Sequence, residues 1–103
     1  MQFTVYKNTG KPTAYPYLLN VQSNIIGRRN TRVVIPLFPA ENYKGPRTDK
    51  LTPSINLAGE DFIVMTHELA SIPERVLGAE HCSAAEYENT IKAALNFLFY
   101  GIE

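Results

Sequence analysis

The stretch SAAEYENTIKAALNFLFYG, residues 83–101, decides the fold, because the spacing of apolar residues changes there. Apolar residues recur at helical spacing and fall on one narrow stripe: Tyr87, Ile91, Ala94 and Leu98, with Leu95 beside them. Residues 83–86 have the form of a capping box, in which Ser83 accepts from first-turn amides and Glu86 reaches back. Gly101 is a typical helix stop. The stretch therefore predicts a C-terminal helix with one core-facing stripe.

Before this helix, apolar and polar residues alternate with the period of two that is typical of half-buried strands. Strands are predicted over residues 2–7, 17–22, 31–38, 54–57, 61–66 and 69–73. A hairpin is expected around Ala58-Gly59-Glu60, and Pro36 indicates a bulge or a sheet edge. Many strands before one helix favour a mainly β (α+β) fold, a small SH3-like barrel or curved antiparallel sheet with the C-terminal α-helix packed on it.

Composition narrows the function classes. The length of 103 residues predicts a single domain, 1–103, and 45% hydrophobic residues are typical of a globular chain. Ten basic and ten acidic residues balance, which argues against a dedicated nucleic-acid binder. The single cysteine, Cys82, excludes an intrachain disulfide. Because there is neither a signal-like run nor an apolar span of about 20 residues, we expect a cytoplasmic protein without a membrane partner.

The sequence gives little support for a metal-binding or catalytic motif. His67-Glu68 begins like a zinc-protease helix, but Ser71 stands where the second histidine is required. His81 and Cys82 are adjacent, yet no second pair of ligands could complete a zinc site. We therefore predict no catalytic residue, no metal and no cofactor, and we assign Cys82 no chemistry.

The predicted helix carries more apolar residues than its core stripe requires. Asn96, Phe99 and Tyr100 fall well away from that stripe. Either the sheet wraps more of the helix and the frayed end folds Phe99 and Tyr100 back onto the body, or these residues face another molecule. Aromatic side chains are preferred anchors of interfaces. The pattern alone leaves both interpretations open.

Five segments together resemble the CcdB toxin family almost end to end. They are MQFTVY (1–6), VQSNII (21–26), RVVIPL (32–37), ASIP (70–73) and NFLFYGI (96–102). The resemblance implies the toxin fold shared by CcdB and MazF, a homodimer, and cytoplasmic action on the A subunit of DNA gyrase, which is trapped on cleaved DNA. It implies neither a catalytic residue nor a cofactor, and we expect no specific nucleic-acid binding by the free toxin.

The resemblance also implies a binding site. The family's gyrase-contact positions correspond here to Ile25, Ile26, Asn96, Phe99, Tyr100, Gly101 and Ile102. Three of these are the residues that the helical wheel leaves outside the core, so the resemblance favours the partner-facing interpretation. The family carries a tryptophan at the position of Tyr100 and ends at the isoleucine, whereas Glu103 follows here. A tyrosine ring is the weaker partner for a cation, and Glu103 moves the terminal carboxylate and adds a charge. Both departures bear on the affinity for gyrase and leave a weakened or a retargeted toxin open.

A CcdA-like antitoxin is the second implied partner, and residues 8–14 and 41–50 resemble the regions that its disordered segment covers. Two other functions stay open. One is a MazF-like endoribonuclease, for which Arg28, Arg29, Arg32 and His67 would supply the basic groove and acid–base chemistry. The other is a weakened or inactive relative that only binds the antitoxin, which the unusual tail would favour.

Overall fold

The computed structural model describes residues 1–10, 14–26 and 30–101. In these residues seven strands form one antiparallel sheet, and an α-helix follows. The elements are β1 (Thr4–Asn8), β2 (Tyr17–Asn20), β3 (Thr31–Pro39), β4 (Ser54–Leu57), β5 (Glu60–Val64), β6 (Ala70–Pro73), β7 (Leu77–Ser83) and α1 (Glu88–Tyr100). The sheet order is β4-β5-β3-β2-β1-β7, with β6 paired to β3. The sheet curls into a half-barrel beside the helix, which confirms the predicted α+β architecture.

The core lies between the concave side of this sheet and α1. Ile91 and Ala94 are fully buried there, and Tyr87 and Leu95 pack half-buried beside them. Leu98, at the end of the predicted stripe, is also half-buried. The strands and the link to α1 contribute the residues that form one buried cluster with Ile91: Phe3, Val5, Leu19, Ile35, Leu37, Ile55, Leu57, Phe62, Val64 and Ala84. None of the helices in the described ranges is long and apolar enough to cross a membrane.

Pro36 lies inside the sheet, so the predicted bulge or sheet edge is wrong. The register of β3 with β2 runs through Pro36 without a shift. On its other side β3 pairs with β6 up to Val34 and with β5 from Leu37. The carbonyl of Pro36 accepts from the Met65 N–H at 3.0 Å on that side, and a strand residue points its nitrogen the same way as its carbonyl. The nitrogen of Pro36, which carries no hydrogen, therefore faces the point where the partner of β3 changes from β6 to β5. No regular ladder hydrogen bond is lost there.

Strand β7 is the element that the sequence does not predict. Its register against β1 shifts twice, between Val5 and Tyr6 and between Tyr6 and Asn8. Each shift interrupts the alternation of buried and exposed side chains, so the period of two is absent from the sequence. Gly78 allows the close approach, because a Cβ there would lie 3.1 Å from the carbonyl oxygen of Lys7.

The β4–β5 hairpin turns on two residues rather than three. Ala58 and Gly59 have φ angles of 53° and 86°. Two consecutive positive φ angles are typical of the primed turns that match the twist of paired strands. Leu57 pairs with Glu60, so Glu60 is the first residue of β5 and not part of the turn.

Helix α1 begins later than predicted, and only half of the capping box forms. A 3₁₀ turn, Ala85–Tyr87, separates it from β7. The Ser83 hydroxyl accepts from the N–H of Ala85 at 3.1 Å, but no side chain caps the first turn of α1. The predicted contact from Glu86 is therefore not made, because Glu86 lies in the 3₁₀ turn before the helix starts.

A tyrosine joins the start of the helix to the outer edge of the sheet. The Tyr87 hydroxyl accepts from the N–H of Asn56 and donates to the carbonyl of the same residue, both at 3.1 Å. Asn56 belongs to β4, the last strand on that side of the sheet. The orientation of α1 is thus fixed by this pair of hydrogen bonds as well as by its apolar stripe.

Candidate functional site

Four of the seven predicted contact residues are exposed hydrophobic side chains. Ile25 is 95% exposed, Ile26 47%, Phe99 61% and Tyr100 74%, and we call these four the exposed apolar set. Within the described ranges the only other large hydrophobic residue in this class is Met1, at 74%. Full burial of such a side chain contributes about 1.5–3 kcal/mol, and each of these residues forgoes the share that corresponds to its exposed fraction. Adjacent exposed hydrophobic side chains, such as Ile25 with Ile26 and Phe99 with Tyr100, are typical of a binding surface.

The tip of α1 carries one part of the site. Asn96, Phe99 and Tyr100 follow the i, i+3, i+4 spacing that places side chains on one side of a helix, and all three are exposed. The Phe99 and Tyr100 rings lie 6.4 Å apart, tilted by 57°. Gly101 ends the helix with a φ of 68° and donates its N–H to the Phe97 carbonyl at 2.9 Å. The interpretation in which the aromatic end folds back onto the body is wrong.

A short turn after β2 carries the other part. Residues Asn24–Ile26 form a 3₁₀ turn that the preceding serine stabilises twice. The N–H of Ile25 donates to the Ser23 hydroxyl at 3.1 Å, and the N–H of Ile26 donates to the Ser23 carbonyl at 3.3 Å. Both isoleucines consequently project from the body rather than into the core. Ile102, the last predicted contact residue, lies outside the described residues.

The comparison with protein families assigns the chain. The model of the CcdB protein family matches residues 2–101 of the 103. The chain belongs to the CcdB family. It is therefore a toxin of a toxin–antitoxin system, from a family of gyrase-poisoning toxins rather than of catalytic enzymes. The CcdB match includes both parts of the exposed apolar set and ends at Gly101, the residue that stops α1.

Groups with potential chemistry in this CcdB family member lie apart from the exposed apolar set in sequence and are otherwise engaged. His67 approaches the carboxylate of Glu68 at 3.8 Å. His81 stacks on Tyr17, with ring centroids 4.2 Å apart. Cys82 is half-buried against the core, and burial raises the pKa of its thiol, which disfavours the reactive thiolate. Over residues 1–10, 14–26 and 30–101 no three His, Cys, Asp or Glu side chains are grouped as a metal site requires.

The basic cluster is described only at Arg32, since Arg28 and Arg29 lie outside the described residues. The Arg32 guanidinium lies 3.2 Å from the Glu74 carboxylate and also donates to the Thr31 carbonyl at 2.9 Å. Its side chain is largely buried. An arginine held in this way is poorly placed to receive an RNA phosphate, so this contact does not favour a ribonuclease groove in a CcdB relative.

Sequence reasoning missed one exposed residue and the contacts that support the turn. Met1 lies outside the predicted strands, so no period in the sequence reveals its exposure, and its amino group donates to the Tyr6 hydroxyl at 3.1 Å. The carboxamide oxygen of Asn24 accepts from the N–H of Gln2 at 2.9 Å. A contact across 22 positions leaves no trace in a local pattern. In the CcdB fold it brings the chain start against the turn that carries Ile25.

Proposed function

We propose that this CcdB family toxin binds the A subunit of DNA gyrase through the exposed apolar set, traps the enzyme on cleaved DNA and so blocks replication and transcription. One observation carries the proposal: four positions that the family resemblance assigns to gyrase contact are exposed hydrophobic residues. The proposed contact residues are Ile25, Ile26, Asn96, Phe99, Tyr100, Gly101 and Ile102. The toxin acts by binding gyrase and holding it on the cleaved DNA, and none of its residues takes part in a chemical reaction.

The aromatic tip supplies the largest part of the proposed affinity. A Phe or Tyr side chain presents about 150–250 Å², and more than half of Phe99 and of Tyr100 remains available to a partner. At about 25 cal/mol per Å², each ring contributes about 3 kcal/mol when covered, which is the size of an interface hot spot. The last turn of α1 has no basic or acidic side chain. Covering it therefore desolvates no charge.

Polar groups at the tip of α1 fix the orientation of the partner in the proposed contact. Asn96 stands one helical turn before Tyr100 and is exposed, so its carboxamide is free to exchange hydrogen bonds with the partner. The Tyr100 ring offers a face to a cation of gyrase, where the family has the stronger indole. We therefore expect binding of the same geometry as in the family but of lower affinity.

We further propose that the toxin acts in the cytoplasm as a homodimer of one domain per chain. A chain of 103 residues buries only about two-thirds of its unfolded surface, so association is a ready source of stability. In a symmetric dimer each element of the site occurs twice. A dimer would thus present two isoleucine turns and two aromatic tips to the gyrase A subunit.

A CcdA-like antitoxin is the second proposed partner. Two apolar depressions, of about 310 and 320 Å³, share Tyr15 and adjoin the loops that resemble antitoxin-covered regions. Phe38 lies between Tyr15 and Tyr43, edge to face with each at 6.1 Å. An unfolded antitoxin segment that orders on binding could bury these rings along an extended path.

Removal of the tail tests the gyrase site. We expect deletion of residues 100–103 to weaken binding to the gyrase A dimerisation domain by at least 30-fold, since a hot-spot anchor contributes about 2 kcal/mol or more. The fold should persist, because the buried residues of α1 precede the deletion. Titration calorimetry gives the affinity, circular dichroism controls for folding, and Thr90→Ala, an exposed change elsewhere on α1, is the matched control. Equal binding by the truncated toxin would remove the tail from the site.

The family ending provides the opposite test. Tyr100→Trp combined with deletion of Glu103 should tighten binding, because indole is the better cation partner. An unchanged or lower affinity in the same titration would contradict the proposed role of this ring.

Expression in cells separates the proposal from its alternatives. In cells with ordinary gyrase we expect growth arrest and DNA breaks with intact RNA, and in cells with toxin-resistant gyrase we expect normal growth. RNA cleavage in both backgrounds would support the endoribonuclease. Normal growth in both, with antitoxin still bound, would support an inactive antitoxin-binding relative.

A further inference from the structure

The N-terminal turn is strained at a buried aromatic residue. Phe3 has a φ of 64°, a conformation that a bulky L-residue rarely adopts. Its N–H donates to the Asn20 carbonyl and its carbonyl accepts from the Ala84 N–H, both at 2.7 Å. The ring is buried in the core. The two backbone hydrogen bonds and the burial of the ring together therefore hold Phe3 in a conformation that it would not keep in an isolated chain.

The positive φ of Phe3 reverses the direction of the chain and brings its first residues to the turn that carries Ile25. The Thr4 N–H donates to the Met1 carbonyl at 3.1 Å, so residues 1–4 form a β-turn with the positive φ at its third position, as in type II turns. The reversal points the N–H of Gln2 at the carboxamide oxygen of Asn24, at 2.9 Å. The Gln2 side chain donates to the Val21 carbonyl at 3.1 Å.

A buried asparagine connects the same two segments a second time. Asn20 is 2% exposed, and both ends of its carboxamide are engaged. Its nitrogen donates to the Met1 carbonyl at 3.0 Å, and its oxygen accepts from the Gln22 N–H at 3.2 Å. The start of the chain is therefore bonded to three positions of the segment that leads into the 3₁₀ turn: Asn20, Val21 and Asn24.

The Ile25 side chain has no packing of its own to fix its direction, because it is almost wholly in solvent. Only the backbone of the turn can orient it, and the Gln2–Asn24 bond is the one described hydrogen bond that anchors the turn residues themselves to a distant segment. We infer that Asn24 is a positioning residue, which uses the N-terminal turn to hold Ile25 and Ile26 in the orientation that gyrase binding requires. The inference rests on the proposed function and adds residues that do not touch the partner.

The test removes the acceptor and keeps a matched variant that retains it. Asn24→Ala loses the oxygen that receives the Gln2 N–H, whereas Asn24→Asp keeps an acceptor at the same place. Three quantities are measured on the full chain: methyl order parameters of Ile25 and Ile26 by NMR, hydrogen exchange of the Gln2 amide, and affinity for the gyrase A dimerisation domain. The unfolding midpoint is the control, since Asn24 is exposed and outside the core.

For Asn24→Ala we expect lower order parameters at both isoleucines, faster exchange of the Gln2 amide, and a dissociation constant raised about tenfold, as when about one-tenth of the molecules have the competent turn. Asn24→Asp should keep ordered isoleucines and a protected Gln2 amide. The unfolding midpoint should stay nearly constant in both, which a merely structural role would not predict.

Two results would overturn the inference. Unchanged order parameters in Asn24→Ala would show that the turn is rigid without this bond. Full affinity of Asn24→Ala, together with lost affinity of Ile25→Ala, would show that the orientation of the turn does not matter. If the unaltered toxin fails to bind gyrase, the proposed function fails on its own. The NMR comparison then still decides whether the N-terminal turn orders Ile25.

Discussion

The same substitution at two isoleucines should separate binding from stability. Ile25→Ala changes a side chain that is 95% exposed, and Ile91→Ala changes one that is fully buried. Each removes three carbon atoms. At Ile25 those atoms are in water in the free toxin, so their loss should affect only a complex in which they become covered. At Ile91 they contact the core, so their loss should affect the folded state.

The magnitudes follow from the exposed fractions. Covering a carbon atom of this kind contributes about 0.8 kcal/mol, so Ile25→Ala should cost about 2 kcal/mol of binding, about 30-fold in the dissociation constant. Its free energy of unfolding should change by less than about 0.5 kcal/mol. Ile91→Ala should lower the free energy of unfolding by about 2–5 kcal/mol, because it also leaves a cavity. For a domain of this size that lowers the unfolding midpoint by about 10 °C or more.

Titration calorimetry with the gyrase A dimerisation domain and thermal unfolding of the free toxin measure the two effects. Ile91→Ala should bind with nearly the original affinity at a temperature where it is folded. If Ile25→Ala binds as tightly as the unaltered toxin, the 3₁₀ turn is not part of the site, whatever the tail does. If it lowers the unfolding midpoint by several degrees, Ile25 is covered in the free protein, and a second copy of the chain is the candidate cover.

Three further outcomes follow from the structure. The unfolding midpoint should rise with protein concentration, as expected of a dimer, and sedimentation that shows a monomer at micromolar concentration would contradict this. Because burial raises the pKa of Cys82, its thiol should react with an alkylating reagent more slowly than free cysteine at neutral pH. The substitution Cys82→Ser should leave the affinity for gyrase unchanged. A folded Cys82→Ser toxin without affinity would show a role for the thiol. Tyr87→Phe removes both hydrogen bonds to Asn56 and should cost about 1 kcal/mol of unfolding free energy by denaturant titration. An equal midpoint and slope would show that these bonds contribute nothing.

The aromatic tip was within reach of sequence reasoning because a regular helix gives each residue a known direction. Once Ile91 and Ala94 are assigned to the core, the positions of Asn96, Phe99 and Tyr100 follow from the angle per residue. The structure adds that the two rings are exposed and that Gly101 ends the helix directly behind them. The assignment of this surface to gyrase rests on the family resemblance and stays a proposal.

Other features depend on contacts between distant positions, which a local pattern does not record. The two register shifts in β7 remove the alternation by which strands are recognised. Pro36 breaks a strand pattern in the sequence, yet the change of partner from β6 to β5 accommodates it. Phe3 looks like an ordinary strand residue, and only its contacts with Asn20 and Ala84 explain its positive φ.

The hydroxyl of Tyr87 has a consequence for the solubility of the toxin. A half-barrel leaves free edges, and an edge strand with unpaired amides and carbonyls is a template on which other chains aggregate. At Asn56 both backbone groups that point outward from β4 are already taken by one side chain. Because β4 has only four residues, this single contact occupies the middle of the edge. A second chain therefore cannot add a continuous strand along β4.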